Sequence, residues 1–519
     1  MPQSNSIREV CNFAATPSFE WLNRDRARRV AILEGIAAGL DARRDEVLSL
    51  CSEETALTVE ELAPEFARMT GTLRMFAGVV REGSWVRAAI DPPAESPRRS
   101  IGPNHDVRRM LVPLGAVAVF GASNFPLAYG VCGGDTASAL AAGCTVVVKE
   151  HPAHIRTGRL IFEIARKVIV ENGAPEQYPG FVMGYIQNED PTDYSVAQEL
   201  VQNEFIQAVG FTGSQGGGKA LIKLSQERER PIPVFAEMGS LNRVVICRHA
   251  LEHRGPAIAS ELAASILARH GQQCTKPGLI ALERASDAGA RFVAELARLL
   301  DAGPARKMLS ERVTDEYVHH CRRLNQIPLV TRVTRRPDPE LLVNGERHTA
   351  PMLFAAMDEV RGNLDAVQMF TPEDRGYFLN DEIFGPAAVV FGSDGWENLF
   401  YSESALVTAV YADPEDVAEM LDEDAADWPA RLEFPIRFAL SGTGRFTFNA
   451  VPTGVRVAHG MVHGGPYPST NRPDTTAVGP FAIERWCRPV CFQNCPQELL
   501  PLELQDANPL GIMRIVNGE

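Results

Sequence analysis

The sequence is short of the features that would place it in a membrane or on nucleic acid. No apolar run approaches the roughly 18 residues of a membrane span, and the first residues, MPQSNSIREVCNF, lack a basic segment followed by an apolar stretch. Lys and Arg number 51 against 66 Asp and Glu, which gives a formal net charge of −15. Phosphate backbones need a basic surface. We therefore predict a cytoplasmic protein with neither a membrane nor a nucleic-acid partner.

Signals for disulfide or metal scaffolds are also missing. The ten cysteines include no CxxC pair, although Cys487, Cys491 and Cys495 lie close together. This usage suits neither a disulfide framework nor a zinc site, so we expect reduced thiols and no bound metal. His151 and His154 lack metal-ligand partners in the sequence, and we interpret them as structural. No internal repeat or low-complexity tract is present.

The 519 residues exceed one ordinary core, and at about 150 residues per domain they suggest about three structural units. The 45% apolar and 23% charged fractions describe a globular protein. Glu20 to Leu50 and Ala56 to Arg81 have helical periodicity with many charges. Ile90 to Asn104 then holds four prolines and one glycine, which favours a linker or a protruding arm.

Beyond this break, strand and helix patterns alternate over about 130 residues. Alternation of this kind predicts a parallel, doubly wound sheet with ligand bound at the carboxyl ends of its strands. A second apolar region, from Ile258 to about Thr470, is long enough for another α/β domain. The predicted strands are Val112 to Phe120, Thr145 to Lys149, Phe181 to Ile186, Ile206 to Phe211 and Val234 to Glu237, and the helices are Leu127 to Ala142, Arg156 to Asn172, Tyr194 to Val201 and Gly218 to Glu227.

The stretch HGQQCTKPG places a cysteine among polar residues directly after a helix. Pro256 to Arg269 has helical spacing, and Gly271 suits the left-handed residue that ends a helix. Cys274 is therefore predicted on a loop, where Lys276 would favour the thiolate, the form that attacks carbon. Taken alone, the motif still fits an ordinary cysteine, since most cysteines are not nucleophiles.

The glycine-rich stretch FTGSQGGGKA resembles part of a nucleotide-triphosphate loop, because Gly213, Gly218 and Lys219 fit its GxxxxGK spacing. The next residue is Ala220, which has no hydroxyl to hold magnesium. A strand, a glycine turn and a helix N-terminus still make an anion site to which Ser214 adds a hydroxyl. The pattern favours a pyrophosphate, with a plain tight turn as the alternative.

Six short motifs occur in a fixed order along the chain: PLGAVAVFGASNFP from Pro113, VVVKEHPAH from Val146, GFTGS from Gly210, AEMGSLN from Ala236, GQQCT from Gly271 and EIFGP from Glu382. Together they resemble the aldehyde dehydrogenase superfamily from about Pro113 to Pro386. The form KxHPxH from Lys149, EMGS in place of ELGG, and HGGPYPST from His463 are more specifically similar to the α-ketoglutaric semialdehyde dehydrogenase group. That group's relatives include NADP-linked fatty aldehyde dehydrogenases.

The resemblance implies an α/β fold with a Rossmann-type cofactor domain, an α/β catalytic domain and a small oligomerisation arm. It places the cofactor domain at residues 1–94 and 114–240, the catalytic domain at 241–470, and the arm with the C-terminal segment at 95–113 and 480–519. It also implies a homodimer or homotetramer, because such arms pair subunits in this superfamily.

The resemblance also implies roles for eight residues. Cys274 is the nucleophile that forms a thiohemiacetal and then a thioester, Asn124 with the Cys274 backbone N–H holds the oxyanion, and Glu237 activates water. On the cofactor side, Lys149 and Glu382 bind ribose hydroxyls. Ser214, in the turn with Gly213, binds the pyrophosphate, and Phe384 lies at the nicotinamide end.

Several alternatives stay open at this stage. The substrate is expected to be α-ketoglutaric semialdehyde, with a medium- or long-chain aliphatic aldehyde as the alternative. An inactive binding protein on the same fold and a coenzyme A-acylating enzyme are disfavoured by the intact catalytic set and by Glu237. We expect NADP to be used, with NAD also accepted, because Pro152 stands where many NAD-preferring members carry a glutamate. The acidic segment from Gln187 to Tyr194 would instead favour NAD if its acids face the ribose.

Overall fold

The computed structural model describes residues 6–93, 102–177, 180–187, 190, 193–283, 287–356, 370–393, 404–421 and 442–519. The chain opens with helices, as its periodicity predicts. Thr58 and Glu61 form a reciprocal capping box at the start of the longest one, and Gly83 ends it with φ of 87°. The first elements are α1 (Ile7–Ala14), α2 (Thr16–Asn23), α3 (Arg26–Ala42), α4 (Arg44–Glu54), α5 (Val59–Glu82), β1 (Ala89–Asp91) and β2 (Val107–Pro113).

A five-stranded, wholly parallel sheet follows, with strand order β5-β4-β3-β6-β7. Val146, Val147 and Val148 are all buried, as expected for a parallel strand covered on both faces. Helices α3, α5 and α7 pack together beside it. The elements are β3 (Ala116–Phe120), α6 (Gly134–Ala142), β4 (Thr145–Lys149), α7 (Ile155–Glu171), β5 (Met183–Ile186), α8 (Ser195–Gln202), β6 (Ile206–Thr212), α9 (Gln215–Gln226) and β7 (Val234–Glu237).

Two of the predicted elements were wrong in extent. The single strand expected from Val112 to Phe120 is two strands, β2 and β3, which turn at Gly115 with φ of 130° and join different sheets. The helix expected from Leu127 begins only at Gly134, because Gly130 and Gly133 pack so closely on main-chain carbonyls that a Cβ would overlap them.

The second half builds a seven-stranded sheet of order β10-β13-β14-β9-β8-β15-β16, in which every pair but β10 with β13 is parallel. The elements are β8 (Asn242–Ile246), α10 (Arg248–Leu267), β9 (Pro277–Glu283), α11 (Asp287–Ala302), α12 (Glu311–Leu324), β10 (Val330–Arg332), β11 (Glu340–Val343), β12 (Glu346–Thr349), β13 (Met352–Ala356), α13 (Pro372–Asn380), β14 (Ala387–Ser393), β15 (Ala405–Tyr411), α14 (Pro414–Leu421) and β16 (Thr443–Phe448).

A small third sheet joins the two ends of the chain. Strands β17 (Cys487–Gln493) and β18 (Ile515–Val516) combine with the early strands in the order β17-β2-β1-β18. Part of the predicted arm, residues 95–101, lies outside the described residues. Within the described ranges, none of the helices combines the length and apolarity that crossing a membrane requires.

This architecture confirms the expected α/β class with a Rossmann-like and a catalytic domain. Strand β7 belongs to the first sheet and β8 to the second, so the chain passes between the sheets within residues 238–241. The domain limits given in the sequence analysis stay a prediction.

Candidate active site

Cys274 lies on a turn between α10 and β9, as the sequence predicts. Helix α10 begins earlier than expected, at Arg248, and contains Pro256. It ends at Leu267, after which Arg269, His270 and Gly271 all have positive φ, of 51°, 54° and 68°. A Cβ on Gly271 would overlap the backbone of Gly385. The turn that carries Cys274 therefore contacts the EIFGP segment, and this contact leaves no room for a side chain at Gly271.

Hydrogen bonds from neighbouring segments fix the shape of this turn. The Asn242 amide donates to the carbonyl oxygens of Cys274, at 2.7 Å, and Lys276, at 3.0 Å. The Lys276 ammonium in turn donates to the carbonyls of Ile383, at 3.0 Å, and Ala387, at 2.6 Å. Lys276 therefore organises the EIFGP segment. Its ammonium is held by these carbonyls, and the expectation that it favours the thiolate stays a prediction.

The sulfur of Cys274 faces a histidine that the sequence analysis quoted without giving it a role. Nε2 of His463 lies 3.8 Å from Sγ. Burial raises the pKa of the Cys274 thiol to about 12, with Glu382 raising it further and Arg68 lowering it. Burial and the charge of Arg68 lower the pKa of His463 to about 3. At neutral pH the pair is therefore a thiol beside a neutral imidazole, whose low pKa makes it a poor acceptor for the thiol proton.

Asn124 follows the end of β3 and reaches the cysteine turn. Its side-chain amide nitrogen donates to the Gln272 carbonyl at 3.2 Å, and its main-chain carbonyl accepts from the Arg269 guanidinium at 2.8 Å. A side-chain amide has two N–H donors. One donor therefore holds Asn124 against the turn, and the second is available to an oxygen bound beside Cys274.

Glu237 is the last residue of β7 and is 6% exposed. Burial raises its pKa to about 8, Arg485 lowers it and Asp135 raises it. A bridge to Thr470 and a hydrogen bond from Met238 N to Ser469 O, at 2.8 Å, hold this strand end. The HGGPYPST motif therefore supplies both His463 and the support for Glu237.

Arg485 lies behind Glu237 and is 1% exposed. Its Nη2 pairs with Asp135, and its Nη1 lies 3.8 Å from Glu237 Oε1, without a hydrogen-bond partner among the described residues. The guanidinium packs near the rings of Phe235 and Trp486. The sequence analysis missed Arg485, because nothing local to PFAIERW indicates that it folds back onto β7.

The structure places the residues assigned to the phosphate end of a cofactor at the carboxyl ends of β4 and β6. Lys149 ends β4 and is half-buried, and burial lowers its pKa. Gly213 donates its N–H to the Glu237 carbonyl at 3.0 Å. Ser214 caps α9 by accepting from Gly217 N at 3.3 Å. A helix N-terminus beside a glycine turn and a lysine fits a dinucleotide pyrophosphate and ribose.

Glu382 and Phe384 come from the segment between α13 and β14. Burial raises the pKa of Glu382, an effect that the charge of Lys276 partly offsets. A Cβ on Gly239 would overlap the Glu382 carboxylate, so the EMGS glycine leaves room for it. Phe384 packs against the cores of both large sheets. These positions fit the nicotinamide end of a dinucleotide.

The histidines of KxHPxH support the backbone. His154 is fully buried, with Nε2 2.9 Å from the Ala122 carbonyl and Nδ1 3.1 Å from Glu150 Oε1. His151 accepts the Ala153 N–H at 3.1 Å. In the part of the chain that the structure describes, the group that combines metal-ligand types is His253, Asp413 and Glu415, and Arg254 already pairs with its Asp413.

Comparisons with known proteins show the family of the chain. The model of the aldehyde dehydrogenase family matches residues 3–400. The chain is 38% identical to α-ketoglutaric semialdehyde dehydrogenase 2 of Azospirillum brasilense and 37% identical to α-ketoglutaric semialdehyde dehydrogenase of Acinetobacter baylyi. Each alignment covers 99% of this chain and 91% of the relative.

A solved structure has the same fold at low sequence identity. 1-Pyrroline-5-carboxylate dehydrogenase from Thermus with bound NAD superposes with a TM-score of 0.70 at 18% identity, covering 93% of this chain and 84% of the other. The family model spans the five-stranded sheet, five of the seven strands of the other large sheet and the turn that carries Cys274. By this match and by its whole-chain relatives, the chain belongs to the aldehyde dehydrogenase family.

Proposed function

We propose that the chain oxidises a short semialdehyde that carries a carboxylate, with α-ketoglutaric semialdehyde (2,5-dioxopentanoate), which becomes 2-oxoglutarate, as the leading substrate. The observation that carries this proposal is the pair of relatives named for that substrate, at 38% and 37% identity across the whole chain. The site described above supports aldehyde oxidation through a covalent thioester. The predicted cytoplasmic location and homo-oligomeric state belong to the same proposal.

In the first half-reaction, Cys274 Sγ bonds to the aldehyde carbon and the thiol proton is released to solvent, while His463, 3.8 Å from the sulfur, stays neutral. Attack and proton transfer are coupled, because a thiol with a pKa of about 12 is not ionised beforehand. The second N–H of the Asn124 amide and the Cys274 backbone N–H hold the oxygen of the thiohemiacetal as it becomes negative.

A bound NAD or NADP would supply the hydride acceptor for this carbon, whose oxidation leaves a thioester on Cys274. Lys149, Ser214 with Gly213, Glu382 and Phe384 are the residues that would hold the dinucleotide. In the second half-reaction, Glu237 as a carboxylate takes a proton from the attacking water. The carbon–sulfur bond then breaks, the acid leaves, and Glu237 passes the proton that it took from water to the cysteine sulfur.

The cofactor proposal is dual use with a preference for NADP. Pro152, three positions after Lys149, offers no carboxylate to repel a 2′-phosphate, and such like-charge contacts cost several kcal/mol. Of the opposing acids, Asp193 accepts a hydrogen bond from Ser195 N at 2.8 Å at the start of α8. This role turns it toward its own helix. Asp190 lies in the same turn, where its main-chain carbonyl accepts from Asp193 N at 3.2 Å, and Glu189 lies outside the described residues.

A panel of aldehydes, each assayed with NAD and with NADP at 340 nm, tests both parts. We expect higher kcat/KM for α-ketoglutaric, glutaric and succinic semialdehydes than for decanal. A higher value for decanal would overturn the carboxylate proposal in favour of an aliphatic substrate. A preference for NAD above about tenfold in kcat/KM would overturn the NADP preference. It would show that the acidic segment disfavours the 2′-phosphate more than the absence of a carboxylate at Pro152 favours it.

A further inference from the structure

Arg68 reaches the catalytic cysteine through a short series of side-chain contacts. It projects from α5, and its Nη2 donates to the Tyr129 hydroxyl at 3.2 Å while its guanidinium lies 5.5 Å from the centre of that ring. Tyr129 stacks on His463 with ring centroids 6.4 Å apart, and His463 lies 3.8 Å from Cys274 Sγ. Arg68 is therefore part of the wall around the reacting sulfur, one aromatic ring beyond the histidine.

The other arginines around this centre already pair with carboxylates or donate to carbonyl oxygens. Arg269 pairs with Glu65 at 2.8 Å, and Arg485 pairs with Asp135 and faces Glu237. Arg445 donates to the carbonyls of Gly454, at 2.8 Å, and Pro452. Three arginines farther from the sulfur do not fit either, because Arg156 and Arg159 pair with glutamates on exposed helix surfaces and Arg456 is exposed.

Arg68 differs from these arginines in what it touches. Within the described ranges, its guanidinium contacts a hydroxyl and a ring face but neither a carboxylate nor a carbonyl oxygen. A guanidinium has five N–H donors in a fork that matches a carboxylate. Leaving most of them unused in a half-buried position is costly unless an anion or water takes them. In a chain with a net charge of −15, this positively charged group can attract and bind an anion.

We propose that Arg68 binds the carboxylate at the far end of the semialdehyde while the aldehyde carbon lies at Cys274, and that it determines the preference for charged substrates. This inference rests on the proposed function. Phe125 and Tyr129 pack in a small apolar cluster, with Val457 and Met461 beside it, which offers a dry surface to the carbon chain between the two ends. The carboxylate would replace the missing partner of Arg68 and gain charge-assisted hydrogen bonds.

A competing role for Arg68 makes a different prediction. Its charge lowers the pKa of the Cys274 thiol, so its removal would slow attack on every aldehyde. That effect is common to charged and neutral substrates. The ratio of kcat/KM for glutaric semialdehyde to kcat/KM for pentanal, which also has five carbons but no carboxylate, cancels it and isolates binding of the carboxylate.

The test compares Arg68→Met, Arg68→Lys and a control, Arg74→Met, with the wild-type enzyme. Arg74 lies on the same helix and pairs with Asp41 at 2.5 Å on the surface. We expect Arg68→Met to lower the ratio by about 10- to 100-fold, mostly through KM, the range for losing hydrogen bonds to a charged group. Arg68→Lys should keep part of the preference, since it retains the charge without the fork. Arg74→Met should leave the ratio unchanged.

A second measurement needs no turnover. Glutarate binding by isothermal titration should be measurable for the wild type and Arg74→Met, and lost in Arg68→Met. An unchanged ratio or retained glutarate affinity in a folded Arg68→Met enzyme would overturn the assignment while leaving the substrate proposal intact. A wild-type enzyme that prefers pentanal would instead overturn the proposed function, and this inference with it.

Discussion

The titratable side chains around Cys274 are held in their neutral forms by burial. The pKa of the thiol is raised to about 12, that of His463 is lowered to about 3, and that of Glu237 is raised to about 8. Arg68 and Arg445 lower the pKa of His463, and Arg68 also lowers that of the thiol. Positive charge is thus in place before the thiolate and the oxyanion develop negative charge, which is the arrangement that preorganised catalysis requires.

Replacing Glu237 by Gln should slow hydrolysis of the thioester more than hydride transfer. Gln cannot take a proton from water, whereas the first half-reaction releases the thiol proton to solvent and does not need this carboxylate. Rapid-mixing measurements at 340 nm should show a burst of reduced cofactor followed by a slow steady rate. Cys274→Ala is the control and should give neither phase, with the fold intact by circular dichroism. Loss of the burst in Glu237→Gln would assign Glu237 to thiol activation instead.

Hydrolysis of the thioester should depend on pH through the same residue. The carboxylate form of Glu237 is the active base, and its pKa of about 8 leaves it mostly protonated at neutral pH. The steady rate of a hydrolysis-limited substrate should therefore rise about tenfold per pH unit below this pKa and level off above it. A pH profile measured from pH 6 to 9 checks this. A flat profile would mean that Glu237 is already ionised or is not the base.

At the scale of elements, the site is made by segments that meet in space, and this decides what the sequence could predict. Strand β7 was predicted with its observed bounds, because VFAE is a short buried run that ends in the functional residue. The split between β2 and β3 was missed, because the apolar pattern continues through Leu114 and only Gly115 marks the turn. Periodicity reports burial along a segment, but not which sheet the segment joins.

The proposed catalytic set was predicted from motifs, whereas the residues that support it were not predicted. Asn242 lies inside the quoted AEMGSLN, yet its hydrogen bonds to the cysteine turn span more than 30 positions. Arg68 lies on an amphipathic helix where an arginine is ordinary, and Arg485 follows an apolar stretch near the end of the chain. Their roles depend on long-range packing, for which a single sequence carries no local signal.

At the scale of the whole molecule, the site lies where the two large sheets meet. Asn124 and Glu237 follow strands of the five-stranded sheet, whereas Cys274 and Glu382 precede strands of the seven-stranded sheet. The contact of Gly271 with Gly385 and the bonds of Lys276 tie the second set together. Both large sheets therefore contribute residues to the surroundings of one sulfur.

The third sheet leads to the prediction that copies of the chain associate. Strand β18 lies at an edge of this sheet, and the residues around it leave apolar side chains in solvent, including Met513 at 75% and Ile515 at 54% exposure. Exposed apolar edges are aggregation hazards unless another chain covers them.

Light scattering coupled to size exclusion should give a dimer or tetramer for the wild type. Met513→Glu with Ile515→Glu should shift it toward the monomer, because charge would then be buried in the contact. Leu342→Glu is the matched control, since Leu342 is 74% exposed on the β11–β12 hairpin. A wild-type monomer, or equal dissociation in both variants, would show that the edge is not where copies meet.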